Sequence, residues 1–153
     1  GRAENAVKTV FRDQISLLSS IHGHSLLSIS YLPLLRQSAY DELLWACDLN
    51  FVRGEDSLVR ALWAGRPLIW QIYPQDDGAH HAKLEAFLDW LDAPASLRQF
   101  HRTWNGIADT AGARSPSTPE LNAWDACARA ARERLFTQDD LATQLLGFVG
   151  KKR

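Results

Sequence analysis

The feature of this sequence that most constrains its fold is the succession of apolar segments and polar turns between residues 48 and 79. A predicted strand at residues 49–53 leads into the polar turn Gly54-Glu55-Asp56-Ser57, which opens a short helix, and a second predicted strand follows at residues 67–73. A strand, a helix and a strand in this order make two parallel strands, so both polar turns lie at the carboxyl edge of one sheet. Open α/β sheets bind their ligands at that edge. The run therefore predicts a pocket for a nucleotide or a nucleotide sugar.

One more strand is predicted before this run. Residues 24–31 are compact and apolar and are followed by Pro33, which is typical of a buried strand. We therefore expect three parallel strands, at residues 24–31, 49–53 and 67–73. Between the first two, Ser38 and Asp41 resemble the N-cap and N3 residues of a capping box, and Gly65 is expected to end the helix after residues 49–53.

The second half of the chain is predicted to be helical. From His80 onward, apolar residues recur at spacings of three and four, and no further strand pattern appears. Helices are expected near residues 82–91, 95–109 and 124–135, with a last helix capped by residues 137–140, and residues 111–119 read as a loop. The fold class is α/β, with a Rossmann-like parallel sheet flanked by helices and a helix-rich C-terminal part.

Size and charge restrict the partners. The 153 residues match one domain with a real core, and 17 basic against 18 acidic side chains give a formal net charge of −1. Nucleic acid is therefore not an expected partner, because counterion release needs a concentrated basic surface.

No apolar run is long enough to span a membrane and no signal peptide is seen, so we expect a cytoplasmic protein without a membrane partner. Because the chain begins with Gly1 and contains no Met, we expect it to be a piece of a longer protein.

The cysteines, histidines and tryptophans point to no metal or redox chemistry. Cys47 and Cys127 are far apart and are interpreted as reduced core thiols. The five histidines lack a third ligand at zinc spacing, so loop positions are preferred for them and no metal is expected. Of the six tryptophans, five are expected in the core, and Trp70 is left open because it lies near the polar turns.

The turn Gly54-Glu55-Asp56-Ser57 has two interpretations. Free backbone N–H groups and the positive end of the helix dipole suit a phosphate, whereas Asp56 or Ser57 could simply cap the helix. Arg53 before this turn, and Tyr73 with Gln75 at the next turn, add a cation and hydrogen-bond donors at the same edge. These neighbours favour a phosphate site.

A second group of residues lies after the first predicted strand. Gln37 offers a donor and an acceptor to a pyrimidine edge, and Tyr40 offers a stacking face. The alternative places Tyr40 in ordinary packing and Gln37 in solvent. The sequence leaves both interpretations open.

These stretches resemble one known family. Residues 40–57, 65–77 and 83–87 are similar to the C-terminal half of the bacterial arginine rhamnosyltransferases that modify translation elongation factor P, the EarP family. The resemblance implies an inverting GT-B glycosyltransferase, with two Rossmann-like domains facing one cleft, that transfers rhamnose from dTDP-β-L-rhamnose to an arginine of the acceptor. Residues 1–153 would then be a single donor-binding domain, a fragment of a larger two-domain enzyme.

The resemblance also implies roles for residues. Gln37 and Tyr40 would hold the thymine, and the diphosphate would be held by Arg53, Tyr73 and the turn Gly54-Glu55-Asp56-Ser57. Glu55 would lie nearest the chemistry as the catalytic residue of this half, with Gln75 and Asp76 as weaker candidates. The family's aspartate base has no counterpart here, so this chain alone should bind donor without turnover. No metal cofactor is implied.

Two other functions remain possible from the sequence. The chain could be a noncatalytic nucleotide-binding module, or a helical module whose apolar C-terminal stripes dock a partner. GT-B proteins often end with a helix that crosses back to the other domain. If that holds here, Leu141, Leu145 and Phe148 would be exposed in this chain.

Overall fold

The computed structural model describes residues 30–76, 78–108 and 115–151. Residues from Gln37 onward belong to one compact unit, and residues 30–36 before it have no regular secondary structure. The predicted strand at residues 24–31 lies outside the described residues except for its last two, Ser30 and Tyr31, which are not in a strand.

Six helices and two strands follow one another in the described residues. In chain order they are α1 (Gln37–Ala46), β1 (Asn50–Arg53), α2 (Glu55–Ala64), β2 (Leu68–Gln71), α3 (Ala79–Trp90), α4 (Ala95–Trp104), α5 (Thr118–Phe136) and α6 (Leu141–Gly150). None of these helices is long and apolar enough to cross a membrane.

The strand, helix and strand predicted between residues 48 and 79 are confirmed. Strands β1 and β2 pair in parallel, with Asn50 opposite Leu68 and Arg53 opposite Gln71. Helix α2 connects them and buries Leu58, Ala61 and Leu62. Since the strands are parallel, Arg53 and Gln71 end at the same edge of the sheet. In the described residues the sheet has two strands rather than the three that were predicted.

The core lies between this sheet and the helices. The side chains of Ile69, Ala61, Leu84 and Leu88 are fully buried, and those of Trp70, Leu97 and Trp124 nearly so. Gly65 ends α2 as predicted, with a left-handed φ of 65° and its N–H donated to the carbonyl of Leu62. A Cβ at this position would lie 2.7 Å from Cδ of Arg132, so both the conformation and the space favour glycine.

Two side chains, one in α4 and one at its C-cap, form hydrogen bonds with the backbone at the end of β2. The N–H of Trp70 donates to Nε2 of His101 at 3.1 Å, and the N–H of Ile72 donates to Oδ1 of Asn105 at 2.9 Å. Asn105 also donates to the carbonyl of Trp70 at 2.9 Å. His101 is fully buried in α4 and is not the loop histidine that was expected. It holds the strand that leads to Tyr73.

Two predictions on helix starts had different outcomes. Ser38 is not the N-cap of α1, because that helix begins at Gln37, and both carboxylate oxygens of Asp41 accept from Arg60 rather than serving a cap. The cap predicted within residues 137–140 is confirmed, since Asp140 accepts from the N–H of Thr143.

Of the five tryptophans predicted in the core, Trp124 is buried as predicted, and the prediction was wrong for the other four. Trp70 and Trp124 are buried, whereas Trp45, Trp63, Trp90 and Trp104 are each between 38% and 54% exposed. Trp70 is buried in β2, where Phe87 of α3 packs edge-on to its ring at 5.4 Å and His101 of α4 accepts from its backbone N–H. Both cysteines are free and half-buried; Cys127 packs against the core, and burial raises the pKa of its thiol.

Candidate functional site

The candidate site is built where β1 meets α2. Arg53 ends β1, Gly54 is the N-cap of α2, and Tyr73 follows β2 two residues after its end. Because the strands are parallel, these residues reach the same carboxyl edge. The structure thus brings together the turn and Tyr73, as the sequence predicted.

Arg53, Gly54 and Tyr73 are in direct contact. The guanidinium carbon of Arg53 lies 4.6 Å from the centre of the Tyr73 ring. Gly54 has a φ of 78° and a ψ of 165°, and a Cβ built on it would lie 3.2 Å from Cε2 of Tyr73. Such a backbone conformation is essentially restricted to glycine. The absent side chain lets the tyrosine ring pack closely on the turn while Arg53 and Tyr73 remain exposed.

The N-terminus of α2 is left without a side-chain cap. Its N-cap is Gly54, which has no side chain to cap the helix, and in the first turn the Glu55 carboxylate accepts from the N–H of Glu55 itself. The alternative in which Asp56 or Ser57 acts only as the cap is therefore wrong. Uncapped N–H groups at a helix N-terminus, beside an exposed arginine, suit a bound anion.

Glu55 is held by a lysine from the next helix. Nζ of Lys83 in α3 donates to Oε1 of Glu55 at 2.7 Å. This hydrogen bond, with a smaller contribution from the backbone N–H of Glu55 itself, lowers the pKa of the carboxyl. Lys83 also lies 5.6 Å from the centre of the buried Trp70 ring. Glu55 is therefore an ionised carboxylate, which suits the orientation of a cation better than the uptake of a proton.

Asp56 and Gln37 are joined through Arg60. Nε of Arg60 donates to Asp56 at 3.2 Å, and Nη1 donates to both oxygens of Asp41 at 2.9 Å. With the amide of Gln37 oriented so that its oxygen faces the guanidinium, this oxygen accepts from Nη2 and Nε of Arg60. The start of α1 is thereby connected to the first turn of α2.

The remaining predicted residues are less closely connected. Tyr40 is half-buried and packs against the core, as the alternative interpretation expected. Ser57 is half-buried in the first turn of α2, and Gln75 is exposed, with its N–H donated to Nδ1 of His80 at 3.1 Å. No contact between Gln75 and Arg53 or Tyr73 is seen among the described residues.

Two site residues were missed from the sequence, Arg60 and Lys83. Arg60 follows Asp56 at the helical spacing of four, which is a weak signal for an ion pair. Lys83 lies 28 residues from Glu55, and no local pattern joins them. In the described ranges 30–76, 78–108 and 115–151, no group of three or more metal-binding side chains comes together.

Comparison with known proteins first defines the class. A curated protein-arginine rhamnosyltransferase from Pseudomonas aeruginosa is 42% identical over 137 residues, which cover 86% of this chain and 36% of that protein. Another, from Shewanella oneidensis, is 56% identical over 62 residues, which cover 40% of this chain and 16% of that protein. These relatives are glycosyltransferases by name. The chain spans about a third of the length of the Pseudomonas relative.

The family model narrows this class further. The model described as Elongation-Factor P (EF-P) rhamnosyltransferase EarP matches residues 1–150, and the chain belongs to this family. A solved structure described as the structural basis for EarP-mediated arginine glycosylation of translation elongation factor EF-P is similar, with 32% identity and a TM-score of 0.56. The match covers 91% of this chain and 49% of that one.

Proposed function

We propose that this chain binds the sugar-nucleotide donor dTDP-β-L-rhamnose for an inverting transfer of rhamnose to an arginine of translation elongation factor P. The observation that carries the proposal is the contact of Arg53 with Tyr73 beside the uncapped N-terminus of α2. Membership of the rhamnosyltransferase family supports the reaction class. In this proposal the chain is the donor half of a GT-B enzyme that acts in the cytoplasm.

The diphosphate is assigned to the turn after β1. Its charge would be met by the guanidinium of Arg53 and by the N–H groups of Glu55, Asp56 and Ser57, with the hydroxyl of Tyr73 as a further donor. These groups would stabilise the negative charge that develops on the leaving diphosphate. Gln37 and Tyr40 are proposed to hold the thymine, and Gln75 to border the same pocket.

The acceptor sets a separate energetic problem. An arginine side chain keeps its proton far above neutral pH, so its full deprotonation at pH 7 costs about 9 kcal/mol at about 1.36 kcal/mol per pKa unit. A carboxylate beside the guanidinium favours its charged form, so it can orient the acceptor, whereas removal of the proton needs a base that acts in the transition state. We assign this orienting role to Glu55, because the hydrogen bond from Lys83 holds its carboxylate at the start of α2. The proton acceptor is proposed to be an aspartate outside this chain, as the family resemblance implies.

Calorimetric titration of this chain with dTDP-rhamnose, dTDP and UDP-glucose tests the donor assignment. We expect saturable binding of dTDP-rhamnose, weaker binding of UDP-glucose, and at least a tenfold loss of affinity in Arg53→Ala. Arg129→Ala is the matched control, since this exposed arginine of α5 pairs only with Asp125 among the described residues. Unchanged affinity in Arg53→Ala would overturn the diphosphate assignment.

A transfer assay with the same chain tests whether it binds the donor without catalysing the transfer. We expect no rhamnosyl transfer to elongation factor P from the isolated 153 residues even at saturating donor. Turnover by this chain would show that the proton acceptor lies within it. Binding of every nucleotide sugar with equal affinity would instead favour a nucleotide-binding module without a role in transfer.

A further inference from the structure

We propose that Lys83 is a positioning residue that draws the carboxylate of Glu55 aside and so keeps the N-terminus of α2 open to the diphosphate. This role rests on the proposed function, because it takes the turn after β1 as the diphosphate site. It adds a residue that acts on the donor through Glu55 and needs no contact with the donor itself. The role follows from a conflict of charge within the site.

The first turn of α2 carries two carboxylates at the place assigned to an anion. Glu55 and Asp56 directly follow the N-cap Gly54, and both side chains are exposed. A carboxylate at a helix N-terminus is itself stabilised by the unpaired N–H groups and by the helix dipole. It therefore competes with a diphosphate for the same N–H groups, and its charge also repels the diphosphate.

Glu55 is the carboxylate that is placed to compete. It accepts from its own backbone N–H, which is one of the groups assigned to the diphosphate. Asp56 is directed along the helix instead, because Nε of Arg60, one turn further on, donates to its Oδ2 at 3.2 Å. Access of a diphosphate to the N–H groups therefore depends on where the side chain of Glu55 lies.

Lys83 holds that side chain from the neighbouring helix α3. Its Nζ donates to Oε1 of Glu55 at 2.7 Å. The same ammonium lies 5.6 Å from the centre of the buried Trp70 ring, so it is held against β2 as well as against Glu55. When a diphosphate takes the N–H groups, the carboxylate keeps Lys83 as its partner and its charge stays compensated. Without Lys83 the carboxylate would lose this partner and remain at the helix N-terminus.

A double-mutant cycle, measured by calorimetric titration with dTDP, tests this role. We expect Lys83→Met to lower the affinity for dTDP about fivefold when Glu55 is present, which is the size expected for one carboxylate at a helix N-terminus. In the Glu55→Gln background the same substitution should change the affinity by less than about twofold, because a neutral amide competes poorly with an anion. The comparison separates action through Glu55 from direct contact with the ligand.

Two further variants test whether the ion pair itself is responsible. Lys83→Arg retains a cation that can donate to Glu55, so its affinity for dTDP should stay within about twofold of that of the unmodified chain. Arg129→Met is the matched control, because it breaks an exposed ion pair of the same 2.7 Å distance, with Asp125 in α5. It should leave the affinity unchanged.

Each result supports or overturns the role of Lys83. An unchanged affinity in Lys83→Met, or an equal loss with and without the Glu55 carboxylate, would overturn the inference while the diphosphate assignment stands. The equal loss would make Lys83 a direct ligand of the phosphates. No binding of dTDP or dTDP-rhamnose by the unmodified chain would overturn the proposed function as well. Because the Lys83 side chain is 52% exposed, the variants are expected to fold, and their urea midpoints check this.

Discussion

The core around β2 and the last helix, α6, use the same apolar residue types with opposite results. Ile69, Leu84 and Leu88 are fully buried, whereas α6 buries no residue, and its Leu141 and Leu146 are 72% and 75% exposed. The exposure predicted for Leu141, Leu145 and Phe148 is confirmed. Apolar content therefore does not decide burial, because a side chain is buried only where neighbouring elements cover it.

The two regions also differ in how their backbones are held. Backbone groups at the end of β2 form hydrogen bonds with the side chains of His101 in α4 and of Asn105, the residue that follows α4. The start of α6 relies on its own Asp140, which accepts from the N–H and the hydroxyl of Thr143. Long-range partners make the β2 region rigid, and the site lies at the end of that region.

The largest difference in stability is expected between alanine substitutions of one leucine in each region. Leu88→Ala removes a fully buried side chain and should lower the free energy of unfolding by about 2 to 5 kcal/mol. Leu146→Ala should change it by less than about 0.5 kcal/mol, because its side chain is exposed. Urea denaturation of both variants measures the difference. Similar losses in the two variants would mean that α6 is covered in solution.

The next contrast is in the response to pH. Burial lowers the pKa of His101 from 6.5 to about 4, because the charged ring is poorly solvated there. As pH falls, the unfolded chain takes up this proton first, so the stabilisation is complete above pH 6.5 and is lost between pH 6.5 and 4. The loss amounts to about 3 kcal/mol at about 1.36 kcal/mol per pKa unit.

Urea unfolding at pH 7.5, 5.5 and 4.5 tests this response, with two variants for comparison. His101→Gln should be less stable at pH 7.5 but should lose this part of the pH dependence, since the titrating ring is gone. His81→Gln, at an exposed position of α3, should follow the unmodified chain. The same pH dependence in all three proteins would assign the acid sensitivity to other groups.

The contrast between the regions also explains what the sequence could predict. The strand, helix and strand with their polar turns were predictable, because the apolar spacing, Gly54 and Gly65 are local signals. The contact of Tyr73 with the turn followed from parallel pairing alone. The part of the site that depends on β1, α2 and β2 was therefore accessible before the structure.

The rest of the site and of the core depends on contacts between residues that are far apart in the sequence. Arg60 is 19 residues from Asp41, and His101 is 31 residues from Trp70, so no local spacing joins either pair. The tryptophans were misplaced for the same reason, since an apolar helix face does not show whether another element covers it. Trp70 is buried against Phe87 of α3, and Trp124 is buried against Phe100 of α4.

Alanine substitutions of two glycines with positive φ should have smaller effects on stability, and the two effects should differ. Gly54→Ala should cost about 1 to 3 kcal/mol of stability, because its φ of 78° and ψ of 165° are nearly restricted to glycine. It should also displace Tyr73, whose Cε2 would lie 3.2 Å from the new methyl, and weaken dTDP-rhamnose binding. Gly78→Ala, with a left-handed φ of 71° and no atom within 4 Å of the new methyl, should cost about 1 kcal/mol and leave binding intact.

Thermal unfolding and calorimetric titration of the two glycine variants separate the effect of backbone strain from the effect of displacing Tyr73. Both should be less stable than the unmodified chain, but only Gly54→Ala should lose affinity for the donor. Equal affinity in the two variants would show that close packing of Tyr73 on the turn is not needed for binding.

The smallest effect on stability is expected at the exposed pair of Lys83 and Glu55. Lys83→Met should leave the urea midpoint unchanged, because water screens a pair whose side chains are 52% and 59% exposed. The pKa of Glu55 should nevertheless rise toward its ordinary value, since the hydrogen bond from Lys83 is the main cause of its lowering. Carbon-detected NMR titration of the Glu55 carboxyl measures this shift, with Lys83→Arg as the variant that retains the charge. An unchanged pKa in Lys83→Met would mean that the pair is not formed in solution.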